Sequence, residues 1–168
     1  FSINKWRDDE RWTNWSGKEY AHPNEYILPK SIANIQKIVK KAISFNQTIR
    51  VTGAGHSFSP VAKPEQIAIS LHEMRGLISI NLQKQEATFY AGTYLHEIGP
   101  VLEAYHYALS NMGDIQEQTL AGVISTGTHG TGISLGSFSS MVVKWGFVNG
   151  LGEYIEHERG DDDLSKAL

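Results

Sequence analysis

The ten residues Val51-Thr52-Gly53-Ala54-Gly55-His56-Ser57-Phe58-Ser59-Pro60 constrain this chain more than any other stretch. A short β-prone run, Ile49-Arg50-Val51, leads into two glycines one residue apart, then a histidine, hydroxyls and a proline. Glycines at that spacing let successive backbone N–H groups converge on one point, the arrangement that cradles a phosphate or pyrophosphate. A dinucleotide turn of the G-x-G-x-x-G kind would carry glycine where Phe58 stands and would open a helix where Pro60 stands. The stretch therefore reads as a phosphate cradle outside that fold. Its histidine needs a separate explanation.

Composition removes several classes of function. With 168 residues, 40% hydrophobic and 20% charged, the chain reads as a soluble globular protein of one or two subdomains with a real core. Fifteen basic against eighteen acidic residues give a net charge of -3 and leave no basic stripe for a nucleic-acid partner. Lys37, Lys40 and Lys41 cluster on the polar face of an expected helix, as a solvated surface does. The lack of cysteine excludes disulfides, thiolate metal sites and a cysteine nucleophile, and fits a reducing compartment. No apolar run is long enough for a membrane anchor in this chain, so the expected location is the cytoplasm. The chain opens on Phe1, and Asp161-Asp162-Asp163 before Leu164, Ala167 and Leu168 reads as a carboxylate-capped helix just beginning. Both features suggest a piece of a longer protein.

Along the chain, Trp6, Trp12 and Trp15 read as an N-terminal arm pinned onto the body by its aromatic rings. Extended chain follows from Tyr20 to Leu28. Ser31 then caps a helix whose Ile32, Ile35, Ile38, Val39, Ala42 and Ile43 recur with a helical period. Strands are expected at residues 49–51, 66–71, 77–80 and 87–91. Thr93 is the expected cap of a second helix with Leu95, Ile98, Leu102, Tyr105 and Leu109 on one face, bent or started by Pro100. Residues 141–148 and 154–157 read as a hairpin closed by Asn149-Gly150-Leu151-Gly152. Helix and strand alternate without a regular βαβ rhythm, which places the chain in the α+β class.

A second small-residue region runs from Gly113-Asp114-Ile115 through Gln118-Thr119-Leu120-Ala121-Gly122 to Ser125-Thr126-Gly127-Thr128-His129-Gly130. Small residues every few positions leave room for a flat ligand or another backbone, and the hydroxyls are potential donors. The same hydroxyls also suit a tightly turned loop that satisfies its own backbone. A cofactor with a long pyrophosphate spine needs more than one such cradle, so the two regions point to a ligand together.

These two motifs resemble the PCMH-type FAD-binding domain of the vanillyl-alcohol oxidase superfamily, in the group of the sugar-lactone and alditol oxidases. Trp12-Thr13-Asn14-Trp15-Ser16-Gly17, Pro29-Lys30-Ser31 and Val148-Asn149-Gly150-Leu151-Gly152-Glu153 fit the same group. The resemblance covers nearly the whole chain. It implies a FAD-binding domain of two α+β subdomains with mixed sheets, the first about residues 1–90 and the second about 91–168, with the substrate domain outside this chain. It implies that Gly53, Ala54, Gly55, Ser57 and Phe58 wrap the FAD pyrophosphate and that His56 is joined covalently to the 8α carbon of the flavin. It also carries over Gly113, Asp114, Thr119, Gly122, Thr126, Gly127 and His129 as flavin contacts.

The implied activity is oxidation of a CH–OH group in a sugar lactone or alditol by hydride transfer to flavin, with O2 or another acceptor taking the electrons. No catalytic residue is expected within these 168 residues, and the piece alone is expected to be inactive. Two alternatives come from other classes: a nucleotide-binding module using the first loop, and a non-catalytic domain keeping the fold without flavin. His22, His72, His96, His106 and His157 show no metal-ligand spacing, so no metal site is expected.

Overall fold

The computed structural model describes residues 11–168, so Trp6 lies outside the described residues. The chain starts with a small antiparallel pair, β1 (Trp12–Thr13) and β2 (Tyr20–Ala21), in register Trp12 to Ala21. A parallel sheet follows, built from β3 (Glu25–Ile27), β4 (Ile49–Thr52) and β5 (Ile67–Ser70) in the order β3-β5-β4. Parallel neighbours need a crossover, and helix α1 (Ile32–Ser44) carries the chain from β3 to β4.

The central strand is covered on both faces. Ile67, Ala68 and Ile69 are all buried, whereas Val51 on the edge strand is half exposed. Ala42 and Ile38 of α1 pack on Ile67 and Ile69, together with Ile27, Ile49 and Leu71. Each of the two isoleucines contributes about 1.5–3 kcal/mol by this burial. Ser31 caps α1 as expected, its hydroxyl accepting the Asn34 N–H at 3.2 Å. Pro60 does block an α-helix after the glycine loop. It opens instead a single 3-10 turn, Pro60–Ala62, at a position that needs no N–H.

A second hydrophobic cluster lies around α2 (Leu95–Glu103) and α3 (Leu120–Ser125). Leu95, Ile98, Leu102, Val123 and Phe138 form it, with Ile80 and Phe89 arriving from the hairpin β6 (Leu77–Asn81) and β7 (Glu86–Phe89). Two expectations need correction here. Tyr94, not Thr93, stands at the start of α2, and its N–H donates to Glu97 Oε2 at 2.8 Å. The Thr93 hydroxyl is engaged elsewhere: it donates to Tyr90 O at 2.6 Å and accepts from Gly76 N at 2.9 Å. The helix also ends at Glu103, because His106 turns the chain at φ +62°. Tyr105 is consequently exposed, and Leu109 reaches the cluster from a loop.

The hairpin β8 (Lys144–Val148) and β9 (Tyr154–Glu158) is antiparallel, and its turn is held by Asn149 Oδ1, which accepts from Leu151 N and Glu153 N. Gln36 Nε2 of α1 donates to Gly152 O at 3.1 Å and ties this turn to the first helix. The chain then enters α4 (Asp163–Ala167), capped by Asp162. Parallel and antiparallel sheets thus coexist with helices, in keeping with the α+β reading; each observed sheet is wholly one or the other. Among the described residues no helix is long and apolar enough to cross a membrane.

Candidate functional site

A cleft of about 440 Å³ runs along β4 from Ile49 and past the loop that follows it. One wall is Thr52 through Ser57 with Ser70, Leu71 and His72. The opposite wall is Ala91, Gly92 and Tyr94 with Gln118, Thr119, Ala121, Gly122, Ser125 and Thr126. The fold therefore brings the two glycine-containing regions face to face. Contact is direct at Gly53, where a Cβ would lie 2.7 Å from Thr119 Oγ1.

The first wall presents unpaired donors. Among the described residues, the N–H groups of Ala54, Gly55, His56 and Ser57 have no backbone or side-chain acceptor, although all four residues line the cleft. Gly55 takes φ +69°, which an L side chain resists, and a Cβ there would also crowd Asn14 Cα at 3.3 Å. The N-terminal arm grips this loop from behind. Trp15 N donates to Gly55 O at 3.0 Å and the buried Asn14 Nδ2 donates to Ser57 O at 3.1 Å. Asn14 Oδ1 in turn accepts from Glu19 N and Ser16 Oγ, which fixes the amide. The arm is thus anchored through Asn14 at least as much as through aromatic rings.

His56 sits between these two grips. Its ring stacks on Trp15 with centroids 5.7 Å apart and planes 19° from parallel, and Phe58 meets the same indole edge-on at 5.3 Å. Nδ1 of His56 is buried and has no hydrogen-bond partner among the described residues. Burial pushes the imidazole pKa below its usual value, against a smaller opposing pull from Glu117. The ring is therefore neutral at physiological pH and keeps an available lone pair.

The second wall is built differently. Leu120 to Ser125 form a helix, which neither the ligand-contact reading nor the turned-loop reading of the sequence includes, because Thr119 caps it and Val123 buries itself completely in the second cluster. The first N–H groups of α3 are already used: Leu120 N donates to Thr93 O, Ala121 N to Ala91 O, Gly122 N to Thr119 Oγ1 and Val123 N to Thr119 O. The Thr126 hydroxyl donates back to Gly122 O at 2.8 Å. This wall offers close-packed backbone and the Thr119 hydroxyl hydrogen, so anion-binding capacity resides on the first wall.

The five remaining expected residues do not line the cleft. Phe58 is exposed beside Trp15, Asp114 and Gly127 are exposed, and His129 bonds locally through Nδ1 to Gly130 O at 2.9 Å. Gly113 lies against His129, where a Cβ would be 3.6 Å from its carbonyl oxygen. Conversely, the structure adds Ser70, His72, Gly92 and Tyr94 to the walls. Burial raises the Tyr94 pKa, with the Arg75 guanidinium 5.6 Å from the ring centroid acting against it. Gly92 follows a strand and precedes a helix; a Cβ there would overlap Leu71 O and Met74 O. That placement was visible in the sequence, but only the fold shows what it faces.

Residues 23–158 match the family described as FAD binding domain. D-arabinono-1,4-lactone oxidase of Kluyveromyces lactis is 36% identical over 146 residues, covering 84% of this chain and 28% of that protein. L-gulono-1,4-lactone dehydrogenase of Mycobacterium tuberculosis is 29% identical over 157 residues, 94% of this chain and 37% of that protein. L-gulonolactone oxidase of Mus musculus is 30% identical, with 92% and 35% covered. The chain thus spans about a third of the length of these relatives. Among solved structures, chitooligosaccharide oxidase superposes with a TM-score of 0.79 over 95% of this chain and 34% of that one, at 16% identity. Cholesterol oxidase from B. sterolicum superposes at 0.74 over 90% and 32%, at 19% identity, which speaks to the fold. The chain belongs to the FAD-binding domain family, among relatives that include the aldonolactone oxidases.

Proposed function

We propose that this chain forms the FAD cradle of an oxidoreductase that oxidises a CH–OH group of a sugar lactone or alditol, with His56 as covalent tether to the flavin. The observation that carries the proposal is the run of unpaired N–H groups from Ala54 to Ser57 around an imidazole whose buried Nδ1 has no partner. These donors have no partner within the fold, so the loop suits a bound group that accepts several hydrogen bonds. A diphosphate does so, and Gly53, which has no Cβ, lets Thr119 of the opposite wall close to the loop. The residues present therefore fit FAD.

Held by this loop, FAD would supply two-electron redox chemistry for oxidation of a CH–OH group, with O2 or another acceptor as the final oxidant. The chain's own work is binding and orientation. Ala54 to Ser57 donate to the anionic spine, the neutral His56 supplies a nucleophilic nitrogen, and Ala91, Gly92 and Thr119 close the opposite wall. The lactone substrate class is supported by the names of the similar relatives, and the alditol alternative by the sequence resemblance alone.

The test uses the full-length protein purified from cells that make FAD. Flavin absorbance should survive acid precipitation with the wild-type protein and be released from His56→Ala. A colourless wild-type protein that gains no absorbance on mixing with FAD would sink the proposal and favour a domain that keeps the fold without flavin. Turnover is then read with a panel of aldonolactones and alditols. Inactivity across the panel would remove the substrate class while leaving the cofactor assignment standing.

A further inference from the structure

The most unusual side chain near the cleft is Trp15. The residue is 54% exposed and belongs to neither hydrophobic cluster, yet its surroundings are tied by hydrogen bonds. Its own N–H reaches the residue before His56, and the preceding Asn14 reaches the residue after it. The indole face then lies nearly parallel to the imidazole. With Nδ1 unpartnered, no hydrogen bond to that atom sets the tilt of the ring. Stacking does, against an indole whose own backbone N–H and preceding Asn14 side chain are tied to the two neighbours of His56.

We propose that Trp15 is a positioning residue for attachment of flavin to His56: it holds the imidazole plane, through stacking and through the Gly55 contact, in the orientation that bond formation needs. The inference rests on the tether proposed above. In that attachment a carbon–nitrogen bond forms between an imidazole nitrogen and the flavin 8α carbon. One hydrogen leaves that carbon and one leaves the imidazole, and both stay on the ring system with two electrons, which an acceptor such as O2 later removes. The flavin itself is the oxidant, so the step needs no other. Its rate depends on how often the nitrogen faces the carbon, and a ring freed to swing spends less time there.

The experiment loads flavin-free full-length protein with FAD and follows two quantities: total flavin bound, and flavin that stays with acid-precipitated protein. Wild type, Trp15→Ala, Trp15→Phe and His56→Ala are compared, and thermal melting reports their folding. The expected result is that Trp15→Ala binds as much total flavin as wild type but becomes acid-stable about tenfold more slowly, the upper range of aromatic pairing. Trp15→Phe, which keeps a ring to stack, should recover most of the rate. Equal attachment rates in Trp15→Ala and wild type would overturn the inference. So would a parallel loss of total and acid-stable flavin in Trp15→Ala and Trp15→Phe alike, which marks a merely structural role. Wild-type protein that binds flavin but never makes it acid-stable would overturn the tether, and the inference with it.

Discussion

Gly53 and Thr119 meet across the cleft so closely that a single methyl group on the glycine would stand 2.7 Å from the threonine hydroxyl oxygen. That oxygen also caps α3, accepting the Gly122 N–H at 3.3 Å. Gly53→Ala should therefore cost about 1–3 kcal/mol through overpacking. Thr119→Ala should cost about 1 kcal/mol through the lost cap. The two changes should not add, because removing the hydroxyl makes room for the methyl. Chemical denaturation of both single variants and the double variant checks this; additive losses would show that the walls do not touch.

Asn14 is buried and bonds to the glycine loop through its amide N and to its own turn through its amide O. Asn14→Asp replaces the donor to Ser57 O with a second acceptor, so it should destabilise by about 1–3 kcal/mol. The damage should be local first. Hydrogen exchange should quicken at residues 53–58 before it changes in β5, and unchanged exchange there would contradict the bracing role.

His56 gives a pH dependence whose sign follows from burial. Its folded pKa lies below 6.5, so between that lowered value and 6.5 the unfolded chain binds a proton that the folded chain does not. Stability is then fully present above pH 6.5 and falls as pH drops through that window, levelling off below the folded pKa. The slope should be shallower in His56→Ala. Flavin-free protein unfolded by urea at a series of pH values between 8 and 5 reports it, and equal slopes would assign the titration elsewhere.

At the far end of the chain, Arg159 donates to three backbone carbonyls: Val142 O at 2.6 Å, Ser139 O at 2.7 Å and Ser165 O at 3.3 Å. The planar fork of donors is what lets one side chain hold the 139–142 turn and α4 at once. Arg159→Lys keeps the charge but loses the fork. It should cost nearly as much as Arg159→Ala, about 2–3 kcal/mol, as read by thermal melting; a lysine variant that melts like wild type would show that charge alone suffices.

Legibility from sequence followed the range of the forces involved. Helix α1 was readable because its cap and its apolar period are local, and the β8–β9 turn because Asn149 and the glycines serve it directly. Helix α3 was not, since Gly122 and the hydroxyls weaken local helix propensity and it is burial of Val123 that secures it. The same division holds at the cleft. The loop around His56 announces itself by backbone chemistry, whereas Gly92 and Tyr94 become a wall only when strands distant in the chain converge. The hydroxyls of the second region read as donors in the sequence; the fold spends several of them on its own backbone, with Thr126 bonded to Gly122 O and, beside them, His129 to Gly130 O.

The cleft also has a mechanical meaning. It is a seam in this sense: one wall follows β4, which pairs with the strand of Ile67 and Ile69, and the other carries Thr119, the cap of the helix whose Val123 packs with Leu95. A molecule that bridges such a seam does more than occupy it: at a hundred times its dissociation constant it adds about 2.7 kcal/mol to the folded state. That increment is drawn from both walls at once, so loading the cleft couples the loop after β4 to the cap of α3. Melting curves should then sharpen as well as shift, and cofactor supply during synthesis becomes a determinant of how much folded protein accumulates.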